Sequence, residues 1–422
     1  QRGSKPKPCP MPDEIVVLGA GMVGTCTALE LTLRGHSVTL VDRSPVGRET
    51  SYGNAGVIQR EAVEPYTFPR DLKALVGAAL GRGLDINYHF MDLLAALPQL
   101  VRYWRNSAPS KHRHISREYA GLIKHVTHEH GRFVALARAE DLVRRKGLRL
   151  MYRSPRAFEE AVAQAERLKL EYGIAFDALD THAMALAEPA LRMPVAGAVH
   201  WVQSWSVSDP GALVERYAKA FERRGGHIIR ADAIALRERS IGWEARLDGG
   251  ILHARHVVVA LGPWSDALIK PLGYRLPLFV KRGYHRHYIG GDGVLVPTLD
   301  AERGYVMSSQ RRGLRITTGA EIARIDAHPT PRQLAGAEAE ARELLSLGIP
   351  VEDEPWVGAR PCCADMKPVI GRAHRHRGLW FNFGHGHHGF TLGPAGARLL
   401  ADLIESKRPY TEAKAFSPSR FA

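Results

Sequence analysis

Residues 14–24, with an acid eighteen residues beyond Gly24 at Asp42, constrain this chain more than any other feature. Glu14-Ile15-Val16-Val17-Leu18 reads as a buried strand, Gly19-Ala20-Gly21 as a turn and the residues from Met22 as a helix. Val38-Thr39-Leu40-Val41 then reads as a second strand with Asp42 at its tip. Gly19 permits the tight turn, Gly21 lets backbone approach a pyrophosphate, and Gly24 lets helix pack closely on strand. The amides of Met22 and Val23 at the helix N-terminus, with the positive end of the helix dipole, suit phosphate. Asp42 suits the ribose of an adenosine, and Arg43 follows it into the same region. The motif predicts a dinucleotide site and does not by itself separate FAD from NAD.

The chain's 422 residues are enough for two domains. No apolar run approaches the eighteen or so residues of a membrane-spanning helix. Four cysteines, two of them adjacent at Cys362 and Cys363, do not form a disulfide framework, so a reducing, cytoplasmic setting is expected. Residues 1–12 lack the apolar core of a signal peptide and are expected to be a flexible tail. The net charge of +14 comes from Lys and Arg scattered through ordinary helix and strand patterns. No nucleic-acid motif is among them, so no nucleic-acid partner is expected. The charge instead suits anionic substrates, or peripheral contact with the inner face of a membrane.

Along the chain, residues 50–56 are too small and flexible for a regular element. Helical spacing runs over 68–105, broken at Gly81-Arg82-Gly83 and Pro98, and again over 115–145. A strand is predicted over 148–152 and a helix over 155–172. Asp209 as cap and Pro210 at the first helical position start another helix, running to Arg224. Strands near Ile228 and Leu252 lead to the buried run Val257-Val258-Val259-Ala260-Leu261, which ends in the turn Gly262-Pro263-Trp264-Ser265. Such turns lie at the carboxyl ends of strands, where ligands bind.

The C-terminal region decides between cofactors. Leu379-Trp380-Phe381-Asn382-Phe383 reads as a strand, and residues 384–393 as a glycine-rich loop. Pro394 is expected to open a helix with Leu399, Leu400, Leu403 and Ile404 at core spacing. NAD needs no second helix N-terminus of this kind. A reduced flavin does, because negative charge gathers at its N1/O2 edge. FAD is therefore the better reading, and no metal is expected.

These residues carry a resemblance. Gly19, Gly21, Gly24 and Asp42, the Ser51-Tyr52-Gly53-Asn54-Ala55-Gly56 box and residues 259–265 resemble the D-amino-acid dehydrogenase/glycine oxidase group of FAD-dependent amine oxidoreductases. So do Lys281-Arg282-Gly283-Tyr284, Gly304-Tyr305, Leu314-Arg315-Ile316-Thr317, Gly358-Ala359-Arg360-Pro361, residues 365–371 and Gly384-His385-Gly386. The resemblance spans nearly the whole chain and implies an α/β protein. Its Rossmann-like FAD-binding domain would be assembled from 13–60, 207–275 and 355–422. The substrate domain, from 61–206 and 276–354, would carry a mixed sheet and helices. The resemblance further implies flavin contacts from Ser51, Asn54, Ala55, Gly56, Ala260, Gly262, Trp264, Gly386, Gly389, Phe390 and Thr391. Arg360 looks like the arginine that clamps the substrate carboxylate, a role its planar fork suits. Tyr305 resembles a tyrosine bordering the substrate. His387 and His388 lie where the family's loop passes the flavin, either touching substrate or capping the loop.

There are departures from the family pattern. Tyr52-Gly53 replaces a more usual aromatic-alanine pair. Arg315 stands near where oxygen-using relatives place a lysine, which leaves reaction with O₂ open. Cys362 lies near the region where sarcosine-oxidase relatives attach FAD through a thioether, yet the local sequence fits the unattached members, so non-covalent FAD is expected. The expected chemistry is hydride transfer from Cα of a neutral amine to flavin N5, giving an imine that hydrolyses, with O₂, a quinone or another acceptor taking the electrons. The expected substrate is a small carboxylate-bearing amine: a D-amino acid or N-substituted glycine first, a dicarboxylate amine such as iminodiacetate next. Lys281, Arg282, His285 and His287 are candidate extra cations for the latter, or surface residues on a strand. Two other readings are a flavoprotein subunit passing electrons to a partner and a flavin hydroxylase. The apolar helical spacing between 72 and 104 is read as a core face, with membrane contact the alternative.

Overall fold

The computed structural model describes residues 14–71 and 86–422. The expected tail at 1–12 and the break at Gly81-Arg82-Gly83 lie outside the described residues.

A six-stranded sheet runs in the order 227–230, 37–42, 14–18, 256–259, 379–383, 369–372. Its first five strands are parallel, and Val369–Arg372 closes the edge antiparallel. Parallel strands need both faces covered, and Ile15, Val17, Val257 and Val258 are accordingly buried without alternation. The helix Met22–Leu33 is buried almost throughout between this sheet and the C-terminal helix Gly389–Ile404. Gly19 has φ +107°, and a Cβ on Gly24 would lie 1.8 Å from the Gly19 carbonyl. No larger residue fits either position without moving backbone.

A larger mixed sheet runs in the order 86–88, 320–322, 278–290, 313–318, 305–310, 298–300, 148–152, 197–201, 177–180. The strands Gly348–Pro350 and Trp356–Cys363 also pair with the long strand Leu278–Gly290. Trp356–Cys363, counted with the dinucleotide half in the expected division, thus forms part of the larger sheet. The strands Leu148–Tyr152 and Leu379–Phe383 and the helix Pro155–Tyr172 lie where the sequence places them. Asp209 caps the helix Pro210–Glu222, accepting from the Ala212 amide at 2.9 Å.

Three expectations are corrected. The pattern over 115–145 is two helices, Pro109–Ile123 and Val126–Ala137, followed by a short turn. The helix Phe90–Asn106 runs through Pro98, and the carbonyl this frees belongs to Leu94, an exposed residue on the solvent side of the helix. Its apolar residues are not all core: Leu100 and Tyr103 are buried, but Phe90, Met91, Leu94 and Leu97 are exposed. Among the described residues no helix is long and apolar enough to cross a membrane.

Pro394 also does not open its helix, which starts at Gly389 and encloses it. Proline removes the bond to the carbonyl four residues back, here Phe390. The buried imidazole of His130 takes over: its Nε2 lies 3.0 Å from the Phe390 oxygen and 3.1 Å from that of Thr391, while Nδ1 sits 3.1 Å from the Tyr217 hydroxyl. Burial pulls the His130 pKa down to about 4, so the ring is neutral in the fold. Because the unfolded chain binds this proton more tightly, stability present above about pH 6.5 is lost as pH falls toward 4, by about 3 kcal/mol for this residue alone. His130→Gln, which keeps a donor but binds no proton, is expected to flatten the dependence of unfolding free energy on pH between 4 and 6.5. An unchanged slope in urea titrations across that range counts against the assignment.

Candidate functional site

The two sheets face each other across one cavity of about 1000 Å³, at the upper end for small-molecule sites. One end is the dinucleotide fingerprint. Gly21, Met22, Val23, Asp42, Arg43 and Ser51 line it, and the Ser51 hydroxyl accepts from the Met22 amide at 2.8 Å. Asp42 accepts from the amides of Ala20 at 2.6 Å and Ser44 at 2.8 Å. Burial outweighs these bonds and raises the pKa of its carboxyl. Each Asp42 oxygen keeps lone-pair capacity for a ribose hydroxyl. The Arg43 guanidinium lies 4.4 Å from the centroid of the Trp264 ring, a cation–π pair that walls the same end beside Ala260 and Gly262.

The middle of the cavity passes Asn54 and Ala55 on one side and Gly386, His387, Gly389 and Phe390 on the other. Gly389 and Phe390 are the first residues of the C-terminal helix, whose leading amides have no intrahelical partners. The 51–56 box folds around Asn54, whose side-chain oxygen accepts from the amides of Gly56 at 2.8 Å and Val57 at 3.1 Å. Arg315 ties this box to the larger sheet: its Nη1 donates to the carbonyls of Tyr52 at 2.9 Å and Asn54 at 2.6 Å. Its Nε donates to His287 Nε2 at 2.9 Å, and Glu352 receives His287 Nδ1 at 2.7 Å. Burial pulls the Arg315 pKa down to about 10, still a cation at neutral pH.

Leu148, Leu150, Leu299 and Val306 give the far wall an apolar face. Arg360 and Lys281 project into the same end from directly paired positions on neighbouring strands. The Arg360 guanidinium fills the space that a Cβ on Gly283 would need, 2.3 Å from Nη2. It donates to the carbonyls of Gly319 and Thr318, and no carboxylate pairs with it among the described residues. Burial accordingly lowers its pKa, against small opposing effects of Cys362 and Tyr66. Beside it, His387 is held well below the usual imidazole range by burial, then by the charges of Arg360 and Lys281.

Not every expected residue reaches the cavity. Tyr305 is buried on the opposite face of its strand, because alternation turns Val306 inward and Tyr305 into the core, with its hydroxyl 3.4 Å from Arg153. His388 turns away to Tyr119, 2.7 Å from its hydroxyl, and stacks on Tyr66. Thr391 is buried against the backbone of Gln59 and Val57. Neither Gly24 nor Gly56 lines the cavity: Gly24 sits in the helix and leaves room for the Gly19 carbonyl, and Gly56 takes a positive φ at the end of the 51–56 box. Arg282 pairs with buried Glu321 at 2.6 Å, and His285 stacks on Trp356, so neither is a surface residue nor a cation in the site. Cys362 borders a small side cavity, its thiol pKa raised by burial. Tyr66 and Tyr103 line the substrate end without having been expected there. They come from irregular chain and from a helix, and neither position carries a motif.

The residues fit FAD. The glycine turn, Asp42 and the Arg43–Trp264 pair suit an adenosine diphosphate, and the amides of the C-terminal helix lie where a second, redox-active half would reach. The comparisons agree. The family described as FAD dependent oxidoreductase, abbreviated DAO, matches residues 14–403. The chain is 30% identical over 442 residues to a D-amino acid dehydrogenase of Cereibacter sphaeroides, covering 96% of this chain and 95% of that one. It is 29% identical over 422 residues to a D-amino-acid oxidase of Bradyrhizobium diazoefficiens, covering 96% and 98%. Among solved structures, a glycine oxidase from Geobacillus kaustophilus superposes with TM-score 0.70 at 19% identity over 97% of this chain and 99% of that one.

The tie from Arg315 to the 51–56 box makes a prediction. Arg315→Leu removes two charge-assisted bonds to carbonyls bordering the cavity and is expected to weaken FAD binding about tenfold to hundredfold. Fluorescence titration of the apoprotein with FAD measures this, and an affinity within threefold of the parent contradicts it.

Proposed function

The chain belongs to the family of FAD-dependent oxidoreductases, and from that premise we propose that it oxidises the C–N bond of a small amino acid, a D-amino acid or N-substituted glycine, to an imine that hydrolyses. The observation that carries this reading is Arg360: a cation lining the cavity with no acid beside it among the described residues, its fork matched to a carboxylate. The names of the D-amino acid dehydrogenase and oxidase relatives support the substrate class.

In this reading Gly21, Met22, Ser51, Asp42, Arg43 and Trp264 hold the adenosine diphosphate end of FAD, and Asn54, Ala55, Gly386 and Phe390 border the rest. When bound, FAD supplies the hydride acceptor. Arg360 grips the substrate carboxylate and thereby fixes its Cα, which is worth more than affinity alone because orientation lowers the barrier. The apolar wall of Leu148, Leu150, Leu299 and Val306 keeps water from the reacting carbon. Two cations at this end lower the pKa of a bound ammonium, favouring the neutral amine whose lone pair assists hydride departure. Neutral His387 offers a lone pair for a hydrogen bond from that amine. Cys362, protonated and outside the main cavity, is a poor nucleophile, so the flavin is held without a covalent bond.

Anaerobic bleaching of the bound flavin by a panel of D-, L- and N-substituted amino acids tests the proposal, and repetition in air separates oxidase from dehydrogenase. A flavin that stays yellow with every amino acid overturns it. Arg360→Ala is expected to cost roughly 2–5 kcal/mol in kcat/KM for carboxylate substrates. An unchanged value removes Arg360 from the site. Flavin reduction should rise with pH to a plateau as the bound amine loses its proton, and a flat profile argues against that step. Acid precipitation should leave the yellow colour in the supernatant; colour in the pellet indicates a covalent link.

A further inference from the structure

Lys281 is the second cation at the substrate end, and its surroundings differ from those of Arg360. The two occupy directly opposed positions on paired strands, so their Cβ atoms are roughly 5 Å apart on one sheet face. Their charged ends diverge. The Arg360 fork leans across Gly283 toward the Thr318 and Gly319 carbonyls. The Lys281 ammonium leans the other way, 4.4 Å from the Tyr103 ring centroid and 3.3 Å from the Tyr103 hydroxyl. That hydroxyl in turn donates to the Tyr66 carbonyl at 2.6 Å. Lys281 therefore has one acceptor for three N–H groups, and no carboxylate pairs with it among the described residues. It stands where the main cavity meets the smaller one beside it. Among the described residues, the acids lining the main cavity, Asp42, Glu49 and Asp232, all belong to the dinucleotide half. Among the described residues the substrate end thus carries two divergent positive charges and no negative one.

Resting on the amino-acid reading above, we propose that the substrate is a dicarboxylate amine, with Arg360 holding the carboxylate next to the reacting carbon and Lys281 the second acid group. A single carboxylate satisfies the Arg360 fork and leaves the lysine, pointed away, uncompensated. A second carboxylate a few bonds distant compensates it and replaces the water that its two remaining N–H groups otherwise require. The Tyr103 and Phe279 rings, both within cation–π range, hold the ammonium in place without neutralising it.

The test uses the FAD-loaded enzyme in anaerobic stopped flow, comparing iminodiacetate and D-glutamate with sarcosine and D-alanine. The dicarboxylates should reduce the flavin with a rate constant over Kd about tenfold to hundredfold higher. Lys281→Met should bring that ratio close to one, and Lys281→Arg should restore most of it. A second readout needs no turnover: titration of the oxidised flavin spectrum with succinate and propionate should show the same selectivity and its loss in Lys281→Met. Melting temperature and FAD content establish that each variant is folded, and the arginine variant carries the test if the methionine variant is not. Equal handling of both substrate classes by the parent overturns this inference and leaves the amino-acid reading intact. Equal losses on both classes in Lys281→Met also overturn it, since the two cations would then share one carboxylate. Failure of every amino acid to bleach the flavin overturns both.

Discussion

A guanidinium lining the cavity, with no acid beside it among the described residues, sets the terms for this molecule. Arg360 is held by two backbone carbonyls and by the empty space over Gly283, and neither removes its charge. A partly buried cation held only by carbonyls is an electrostatic demand that an anion can satisfy. The strand that carries it, Trp356–Cys363, is locked by pairing along Leu278–Gly290, so position is fixed before any ligand arrives. Rigidity of this kind turns a charge into a positioning device.

The cavity depends on contacts that join distant parts of the chain. Arg315 reaches from the larger sheet to the carbonyls of the 51–56 box, and the Glu352–His287 pair steadies its other edge. His130 reaches from the helix Val126–Ala137 to the carbonyl that Pro394 orphans, keeping the C-terminal helix intact at the end that borders the cavity. Both are buried polar groups with good geometry, and both are costly to break, because removing one partner leaves the other without water. The site is thereby tied to side chains that do not themselves line it.

Much of this was legible in the residues. The glycine turn at 19–24 with Asp42, the run ending at Gly262 and the loop at 384–390 each carry a local pattern whose physical requirement is specific: a positive φ, a close backbone approach, a helix N-terminus. The residues that went astray share a different character. Tyr305 sits on a strand, and strand alternation is visible in a sequence only as parity; which parity faces the cavity is set by the sheet's partner. His388 and Thr391 follow Gly386 and His387 into a turn and helix whose rotation about its axis decides which side chains face inward. Pro394 reads as a helix start by local rules, and only a histidine more than two hundred and fifty residues earlier makes its interior position tolerable.

The sequence by itself determined the Rossmann-like architecture and, with the second glycine-rich loop, the cofactor class, because each rests on spacing between near neighbours, where covalent geometry and periodicity are sufficient; Arg360 was singled out by family resemblance, not by spacing. The tertiary structure alone decided which cations are spent on internal partners and which remain free. Lys281, Arg282, His285 and His287 look alike as a basic run, yet Arg282 meets Glu321, the two imidazoles are absorbed into the Trp356 and Arg315 contacts, and Lys281 meets no acid among the described residues. Charge compensation is a property of what lies across a sheet or a cavity, and no stretch of sequence contains that information.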